Sequence, residues 1–492
     1  MNSKFIDALT HEDNFTLTEN DATALKSTGE SLVDLFGRIG TMRETSPSDV
    51  AAAFSKAFAE DKLLALKIAF YARDVRGGLG ERETFRVIIR HLAILYPGII
   101  RRNLHNIPVF GRFDDLYALV GTMVEADMWA LIRDQFDKDL ESYKRGESVS
   151  LMAKWLKSCN TSSAESRKLG RMTAKALGLS ERHYRKNLSK LRKHIDVVEV
   201  KMSSRQWSKI NYPGVTSRAM MTYRKAFLRK DPVRFEEYIA KLKTGETKIN
   251  SGTLYPYDIL ERLGLDSFYG DYFSMPGYDE ILEAQWKALP NYIEGENNVL
   301  VMADTSASMS GRPICTSVGL AIYFAERNKG VFKDTFMTFS SKPSLVKLKG
   351  ETLFEKVKCI PAIVDNTNLE KAFELILKTA VDNQITQEEM PKALIIISDM
   401  QFDQQTDDRD LTWHNAMKKK FQQAGYELPN VVYWNVRDTR ESFQTDSRCS
   451  NIQIASGQST AIFKSVLSNI GCNPFEAMVN TINVPRYDCI VI

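Results

Sequence analysis

Residues 297–310 read NNVLVMADTSASMS, a short apolar run that ends in an aspartate and is followed by small hydroxyl-bearing residues. A continuous apolar run of this length is typical of a buried parallel strand. Three further runs of the same kind follow, DTFMTFS, KALIIISD and NVVYWNV, with helical stretches at about 313–329, 367–380 and 409–424 between them. Strands that alternate with helices predict a doubly wound α/β domain over 297–492, with its ligands at the carboxyl edge of the sheet.

Polar side chains stand where the predicted strands and helices begin or end. Asp304, Ser306 and Ser308 follow the first strand as D-x-S-x-S, Thr367 opens a helix after the loop VDNTN, and Asp399 ends the strand ALIIIS. The three pieces should converge on one edge of the sheet, and their hard oxygen ligands suit Mg²⁺ or Mn²⁺ better than Zn²⁺. In the alternative interpretation the serines only cap the next helix and Asp399 is a turn residue.

The predicted metal site does not indicate catalysis. No histidine or glutamate is placed beside it by a motif, and the nearest histidine is His414. A phosphatase with an aspartyl nucleophile would have a second aspartate two residues after Asp304, where this chain has Ser306. We therefore expect a binding protein and not an enzyme.

Residues 26–290 have a helical pattern, with amphipathic stretches such as DVAAAFSKAFAEDKLLALKIAFYARD and ERETFRVIIRHLAILYP. Successive helices without strands favour an all-α helical-repeat domain of HEAT-like type. The stretch RDVRGGLGER follows a helix and lacks the lysine of a phosphate loop, so we expect a tight interhelical turn there. Residues 1–25 are polar, and we expect them to be irregular or docked on another part of the chain.

The middle of the helical region is strongly basic. Positions 154–248 hold 24 Lys and Arg against 8 Asp and Glu, a net charge of +16 in a chain whose total is +4. An unpaired field of this kind attracts polyanions because contacts to phosphates release counterions, although a basic helix face is often only solvated. In ERHYRKNLSKLRKHI the residues Tyr184, Leu188, Leu191 and Ile195 form one apolar stripe, which should leave the basic residues to project from the other side.

The composition is that of an ordinary globular protein, with 43% hydrophobic and 26% charged residues. No apolar run approaches the roughly 18 residues of a membrane span, and the first residues lack the apolar core of a secretion signal. We expect a cytoplasmic protein without a membrane partner. The six cysteines are scattered without a C-x-x-C pair, which favours free thiols over a zinc site or disulfides.

The order of the motifs resembles a known architecture. DTSASM with ISDMQFD is similar to the metal-ion-dependent adhesion site of von Willebrand factor A (vWA) domains. A helical region with RDVRGGLGERETFR, IPVFGRFDDL, MAKWLKS and YRKNLSKLRKHIDVVE precedes it. This order resembles the TROVE-plus-vWA architecture of Ro ribonucleoproteins, and more closely an uncharacterised family catalogued as domain of unknown function 2828.

The resemblance implies both a metal chemistry and a partner. In vWA domains the serines, and often the threonine, contact the metal, while the aspartates act mostly through bound waters. One coordination position stays open for an acidic group of a partner. In Ro proteins HEAT-like helices close into a ring on docking of the vWA domain, noncoding RNA binds the outer basic surface, and single-stranded ends enter the hole.

We therefore expect a non-enzymatic protein with a Mg-binding vWA domain that binds structured noncoding RNA with single-stranded tails, without a DNA partner. The alternative is a protein-interaction scaffold whose metal site captures an acidic residue of a partner protein, and a metal-dependent hydrolase is a third alternative. The candidate RNA-binding residues are Arg167, Lys168, Arg171, Lys175, Arg182, Arg185, Lys186, Lys190, Arg192, Lys193, Arg224 and Lys225.

Overall fold

The computed structural model describes residues 14–265, 268–269, 272–273, 277–295, 297–339, 343–360, 368–403, 413–437 and 442–492. Helices dominate the chain before residue 298 and alternate with strands after it. The described α-helices up to residue 243 are α1 (Ser31–Arg38), α2 (Pro47–Glu60), α3 (Lys62–Arg73), α4 (Glu83–Leu95), α5 (Pro97–Asn103), α6 (Asn106–Phe110), α7 (Glu125–Lys144), α8 (Met152–Trp155), α9 (Ala164–Ala176), α10 (Glu181–His194), α11 (Val198–Ser203), α12 (Ser217–Lys230) and α13 (Pro232–Lys243).

The later helices belong to the α/β part of the chain or directly precede it. They are α14 (Pro256–Leu263), α15 (Glu280–Lys287), α16 (Arg312–Arg327), α17 (Leu353–Lys358), α18 (Leu369–Asp382), α19 (Trp413–Gln423), α20 (Ala461–Ser468) and α21 (Pro474–Ile482). Short 3-10 helices connect several of these elements. They are Phe113–Leu119, Trp207–Lys209, Tyr212–Gly214, Ala307–Met309 and Pro485–Tyr487.

The strands of the described residues form one large sheet and two short antiparallel pairs. They are β1 (Phe15–Leu17), β2 (Thr23–Leu25), β3 (Phe268–Tyr269), β4 (Tyr272–Phe273), β5 (Val299–Asp304), β6 (Thr335–Phe339), β7 (Ser344–Lys347), β8 (Ala393–Ser398), β9 (Asn430–Asn435) and β10 (Ile452–Ser456). The large sheet has the order β10-β9-β8-β5-β6-β7 and is parallel except for the pair of β6 with β7. The predicted combination of an all-α region with a doubly wound α/β domain is therefore confirmed.

The described chain forms two compact units, each built from segments that are far apart in sequence. The sheet unit comprises the residues up to 68 together with 251–484, and it contains the six-stranded sheet. The helical unit comprises residues 69–250 together with 485–492. The domain boundaries predicted from the sequence lie near residues 26, 290 and 297. They divide the chain into consecutive segments, whereas each compact unit combines separate segments. HEAT-like repetition and ring closure stay predictions.

The strand order reverses between β5 and β8 in the sheet unit. All residues of both strands are buried, as expected for central parallel strands, and they pair in register from Val299 with Ala393 to Ala303 with Ile397. A reversal of this kind leaves a crevice at the carboxyl ends of the two strands, where doubly wound folds bind ligands. The register therefore brings the residues that end β5 and β8 to the same crevice.

The N-terminal segment docks on the carboxyl side of this sheet. The Thr18 hydroxyl donates to the carbonyl of Phe402 at 2.6 Å, and Leu25 and Phe443 exchange two backbone hydrogen bonds at 2.8 Å. Farther along, the Ser456 hydroxyl of β10 donates to the carbonyl of Phe36 in α1. Residues 1–25 were expected to be either irregular or docked on another part of the chain. Positions 14–25 are docked, and positions 1–13 lie outside the described residues.

The helical unit confirms two sequence expectations. Tyr184, Leu188 and Leu191 of α10 are almost completely buried and Ile195 is half-buried, so the predicted apolar stripe faces the core. The stretch RDVRGGLGER joins α3 to α4 as a tight turn, and a Cβ on Gly78 would lie only 2.0 Å from the carbonyl oxygen of Tyr71. Among the described residues, no helix combines the length and apolar character needed to cross a membrane.

Candidate metal centre and basic surface

Two buried aspartates lie in the crevice between β5 and β8. Asp304 is the last residue of β5, Asp399 directly follows β8, and both side chains are fully buried. Asp304 Oδ1 accepts a hydrogen bond from the backbone N–H of Ser306 at 2.9 Å, and its Oδ2 accepts one from the Ser398 hydroxyl at 2.6 Å. These bonds hold the Asp304 carboxylate in place between the two strands.

The Asp399 carboxylate is only partly satisfied. Its Oδ1 accepts a hydrogen bond from the backbone N–H of Gln401 at 3.2 Å. Its Oδ2 is buried and has no hydrogen-bond partner within the part of the chain that the structure describes. A buried polar atom without a partner costs about 1–3 kcal/mol, and more when it carries charge. A bound cation would remove this cost, so the residues present fit a metal ion.

The electrostatics of the pair lead to the same conclusion. Burial and the neighbouring Asp399 carboxylate together raise the pKa of Asp304 to about 7. Burial also raises the pKa of Asp399, against the opposing effects of the Ser308 hydroxyl and the Arg437 guanidinium. Two buried carboxylates that repel each other disfavour their own ionised forms. A divalent cation between them would reverse this preference.

The two serines of the motif lie in the turn after β5. The Ser306 and Ser308 hydroxyl oxygens are 3.1 Å apart, with Ser306 buried and Ser308 half-buried. Ser306 precedes the 3-10 helix Ala307–Met309, and its side chain makes no capping hydrogen bond. The capping interpretation therefore has no support at Ser306, and its hydroxyl remains suited to a metal.

Arg437 is a residue of this site that the sequence patterns do not indicate. It follows β9, and its guanidinium donates to the carbonyl of Ser308 at 2.6 Å. A cation at this position holds the serine turn in place and partly compensates the charge of Asp399. Its only sequence signal is its place after an apolar strand of the same sheet.

The fifth candidate ligand lies outside the described residues. Thr367 stands in the segment 361–367, and α18 begins at Leu369 with the Asn368 side chain as its N-cap. The structure thus brings four of the five candidates, Asp304, Ser306, Ser308 and Asp399, to one sheet edge. Within the described residues, no three His, Cys, Asp or Glu side chains form a group that could hold a metal.

Eight of the twelve candidate RNA-binding residues are exposed on two neighbouring helices of the helical unit. These exposed cations of the neighbouring helices α9 and α10 form the basic face. They are Lys168, Arg171, Lys175, Arg182, Arg185, Lys186, Lys190 and Lys193. Arg171 approaches Glu181 at 3.3 Å, but an exposed ion pair of this kind holds a side chain only weakly. The basic face is therefore accessible to an anionic ligand.

Arg192 does not project away from the core, contrary to the expectation for every cation of α10. Its guanidinium donates to the carbonyls of Ala153 and Leu156 and to the Ser158 hydroxyl, at 2.8, 2.8 and 2.9 Å. Position 192 is four residues after the buried Leu188, so it lies on the same side of the helix as the apolar stripe. Arg192 joins α10 to residues 153–158 and does not project with the others.

Arg224 is a second candidate RNA-binding residue that does not project outward as expected. It is 8% exposed, and its guanidinium donates to the carbonyl of Met221 at 2.6 Å, because it lies three residues before the buried Phe227 on the inner side of α12. Arg167 is half-buried, and its guanidinium donates to two carbonyls of the loop before α9. Lys225 is exposed. Only Lys225 of these three is available for an external ligand without rearrangement.

Comparison with known proteins places the chain in a family. Residues 18–132 and 149–298 match the domain of unknown function DUF2828, and residues 298–483 match the domain of unknown function DUF7788. Uncharacterized protein L728 of Acanthamoeba polyphaga mimivirus is 29% identical over 510 residues, covering 95% of this chain and 87% of that protein. The crystal structure of the Deinococcus radiodurans RO (RSR) protein aligns with a TM-score of 0.31 and 12% identity, over 94% of this chain and 93% of that one. Because the DUF2828 match spans more than half of the residues, the chain belongs to the DUF2828 family.

Proposed function

We propose that the protein binds RNA through the basic face and holds a divalent metal at the edge of its sheet. The observation that carries the RNA proposal is the group of eight exposed cations on two neighbouring helices. Glu165 and Glu181 are the acidic residues of these helices, so most of the positive charge is unpaired on them. When such lysines and arginines contact the phosphates of a nucleic acid, counterions are released, and this release favours binding.

The packing of α10 supports phosphate contacts at its surface. Tyr184, Leu188 and Leu191 fix the helix on its inner side, and Arg192 ties it to the preceding loop. The exposed lysines and arginines can therefore reach a ligand while the helix stays packed. Contacts of this kind position a nucleic acid without reading its bases.

The aromatic side chains of the basic segment are engaged within the protein. The Arg112 guanidinium lies 4.1 Å from the centre of the Trp155 ring, and Tyr212 packs against Phe227 with ring centres 5.3 Å apart. Tyr184 is buried. These rings are poorly placed to stack on unpaired bases, so we expect limited sequence preference. The ligand class that we propose is structured noncoding RNA with a single-stranded tail.

The metal proposal rests on the buried aspartates. Asp304, Ser306, Ser308 and Asp399, with Thr367 from the segment before α18, would hold Mg²⁺ or Mn²⁺. The unpartnered Oδ2 of Asp399 supports this assignment. The bound ion would supply an electrophilic coordination position for an acidic group, and the protein needs no catalytic base for that role.

The same crevice supports a second candidate function, the capture of an acidic residue of a partner protein. The observation that favours it is the pair of mutually repelling carboxylates, which a cation would convert into a site that attracts anions. In this alternative the basic face is only solvated.

Fluorescence anisotropy with a labelled RNA hairpin that carries a single-stranded tail tests the proposal. We expect the logarithm of the affinity to fall linearly with the logarithm of the salt concentration, as it does for phosphate contacts. A DNA hairpin of the same sequence tests the expected absence of a DNA partner. If the wild-type protein does not bind the RNA at low salt, the RNA proposal is wrong and the capture of an acidic protein partner becomes the leading function.

A further inference from the structure

The last described residues of the chain pack inside the helical unit. Residues 485–492, with the sequence PRYDCIVI, are called the C-terminal tail here. The residues immediately before them, 251–484, belong to the sheet unit, whereas the tail belongs to the helical unit. The contacts that hold the tail are therefore made by side chains more than 370 positions away in the sequence.

An arginine of the tail pairs with a fully buried carboxylate. The Arg486 guanidinium donates to both oxygens of Asp74, with Nη2 2.7 Å from Oδ1, and the Tyr487 hydroxyl donates to Oδ2 at 3.1 Å. Burial alone would raise the pKa of Asp74, but the Arg486 hydrogen bonds and the backbone N–H groups of Arg76 and Gly77 outweigh it and lower this pKa. Removing the tail would leave a buried charge without its main partner.

The aromatic ring of Tyr487 fills the space beside this ion pair. Tyr487 is 1% exposed, its ring stacks on Phe110 with centres 5.5 Å apart, and Tyr71 meets it edge-on at 6.2 Å. Burial of a ring of this size against other rings contributes substantially to binding in protein interfaces. Tyr487 thus holds the tail by apolar contacts, next to the ion pair of Arg486 with Asp74.

Two buried asparagines hold the backbone of the tail. Asn103 Nδ2 donates to the carbonyl of Val491 at 2.6 Å while its Oδ1 accepts from the Val491 N–H at 3.1 Å. Asn106 Nδ2 donates to the carbonyl of Cys489 at 3.0 Å. Because these bonds go to the main chain, they fix the backbone of the tail without selecting its side chains. The Cys489 side chain is exposed.

Two of the residues around the tail, Asp74 and Phe110, come from the glycine-containing motifs that the RNA and metal proposals leave unused. RDVRGGLGER provides Asp74 and its turn, and a Cβ on Gly77 would lie 3.2 Å from Arg486 Nε, so a glycine leaves room for the guanidinium. IPVFGRFDDL provides Phe110 and begins directly after Asn106.

We propose that the helical unit carries a peptide-binding groove, formed by Asp74, Asn103, Asn106 and Phe110, whose ligand is the C-terminal tail of this chain. The groove recognises an arginine followed by an aromatic residue, which lie in a 3-10 helix, and then holds the main chain at Cys489 and Val491. It recognises the tail as a separable ligand, so the tail stays bound when its covalent link to residue 484 is cut. None of the groove residues belongs to the basic face or to the metal centre.

Cleavage of the full-length protein next to the tail tests the proposal. A protease recognition sequence is inserted after Val484, the folded protein is cleaved, and the retained peptide is quantified by mass spectrometry after gel filtration. We expect the wild-type tail to stay bound after cleavage. In Arg486→Ala we expect the peptide to be released at least about thirtyfold faster, as for loss of one partner of a buried charged pair. Cys489→Ser is the matched control and should retain the tail as the wild type does.

The variants change only the tail, so the groove itself keeps its sequence. Adding the synthetic peptide PRYDCIVI to cleaved and stripped protein should restore binding, and the same peptide with Arg486→Ala should not. Immediate loss of the wild-type tail on cleavage would show that no separable groove exists. Equal retention in Arg486→Ala and wild type would overturn the role of the Asp74 pair.

Discussion

Neutralising one side of α10 should weaken RNA binding by an amount that follows from the number of exposed cations. Arg182, Lys186, Lys190 and Lys193 are all exposed and stand at intervals of four, four and three residues, so they share one helix face. Replacing all four with glutamine removes their charge and leaves the buried stripe of Tyr184, Leu188 and Leu191 intact. We therefore expect folding to be preserved.

The expected loss can be worked from counterion release. Each cation that contacts a phosphate of single-stranded RNA contributes about 0.7 to the slope of log affinity against log salt concentration, so four contribute about 2.8. At about 0.15 M salt this corresponds to a loss of affinity of about 200-fold. The loss should be similar for RNAs of different sequence, because phosphates carry no sequence information.

Fluorescence anisotropy at several salt concentrations measures both the affinity and the slope. The matched control replaces Lys378, Lys392, Lys418 and Lys419 with glutamine, because these exposed lysines of the sheet unit give the same change in net charge. We expect the control to bind RNA with nearly the wild-type slope. An unchanged slope in the α10 variant, or an equal loss in both variants, would refute the assignment of RNA binding to the basic face.

Three further predictions concern the metal, a buried arginine and a buried histidine. Ser306→Ala with Ser308→Ala should abolish Mg²⁺ binding in isothermal titration without lowering the melting temperature of the metal-free protein, and undiminished affinity would contradict the site. Arg192→Ala should lower the free energy of unfolding by about 2–4 kcal/mol in urea denaturation, because three hydrogen bonds are lost, whereas Lys193→Ala should change it by less than about 0.5 kcal/mol. Burial and the charge of a nearby lysine lower the pKa of His414 from 6.5 to about 3, so as the pH falls below 6.5 the unfolded chain takes up a proton that the folded chain excludes. Between about pH 7 and about pH 5 this residue should reduce the free energy of unfolding by about 2 kcal/mol, and urea denaturation of His414→Gln should lack that loss.

The central strands of the sheet are predicted well from the sequence, because each of them is a continuous apolar run that can be recognised without knowing its neighbours. Strands β5, β8 and β9 are continuous apolar runs, and the acidic residues that end two of them mark the edge where ligands bind. The edge strands were not predicted. β7 reads SLVK and is partly exposed, and β10 reads IQIAS, whose polar residues interrupt the apolar run. At β10, whose buried Ser456 bonds to the carbonyl of Phe36, strand prediction fails because burial depends on a neighbour that is distant in sequence.

Docked chain segments were beyond the reach of sequence patterns for the same reason. The Thr18 bond to Phe402 joins positions 384 residues apart, and the Arg486 pair with Asp74 joins positions 412 residues apart. Helical or strand periodicity carries no information about such partners. The glycines of RDVRGGLGER predicted a tight turn, but only the structure shows that the turn also surrounds an arginine of the tail.

The nature of the cation explains which candidate RNA-binding residues turn inward. All the candidate lysines are exposed, whereas the candidates whose side chains donate to backbone carbonyls are arginines, namely Arg167, Arg192 and Arg224. A guanidinium is planar and carries five N–H donors, so one side chain can satisfy two or three carbonyls of a loop or helix end, whereas an ammonium group keeps its hydration better at the surface. A net charge of +16 therefore overstates the charge available to a ligand, because part of it joins helices within the unit. In a basic helical segment of this kind, the lysines mark the surface that faces a polyanion more reliably than the arginines do.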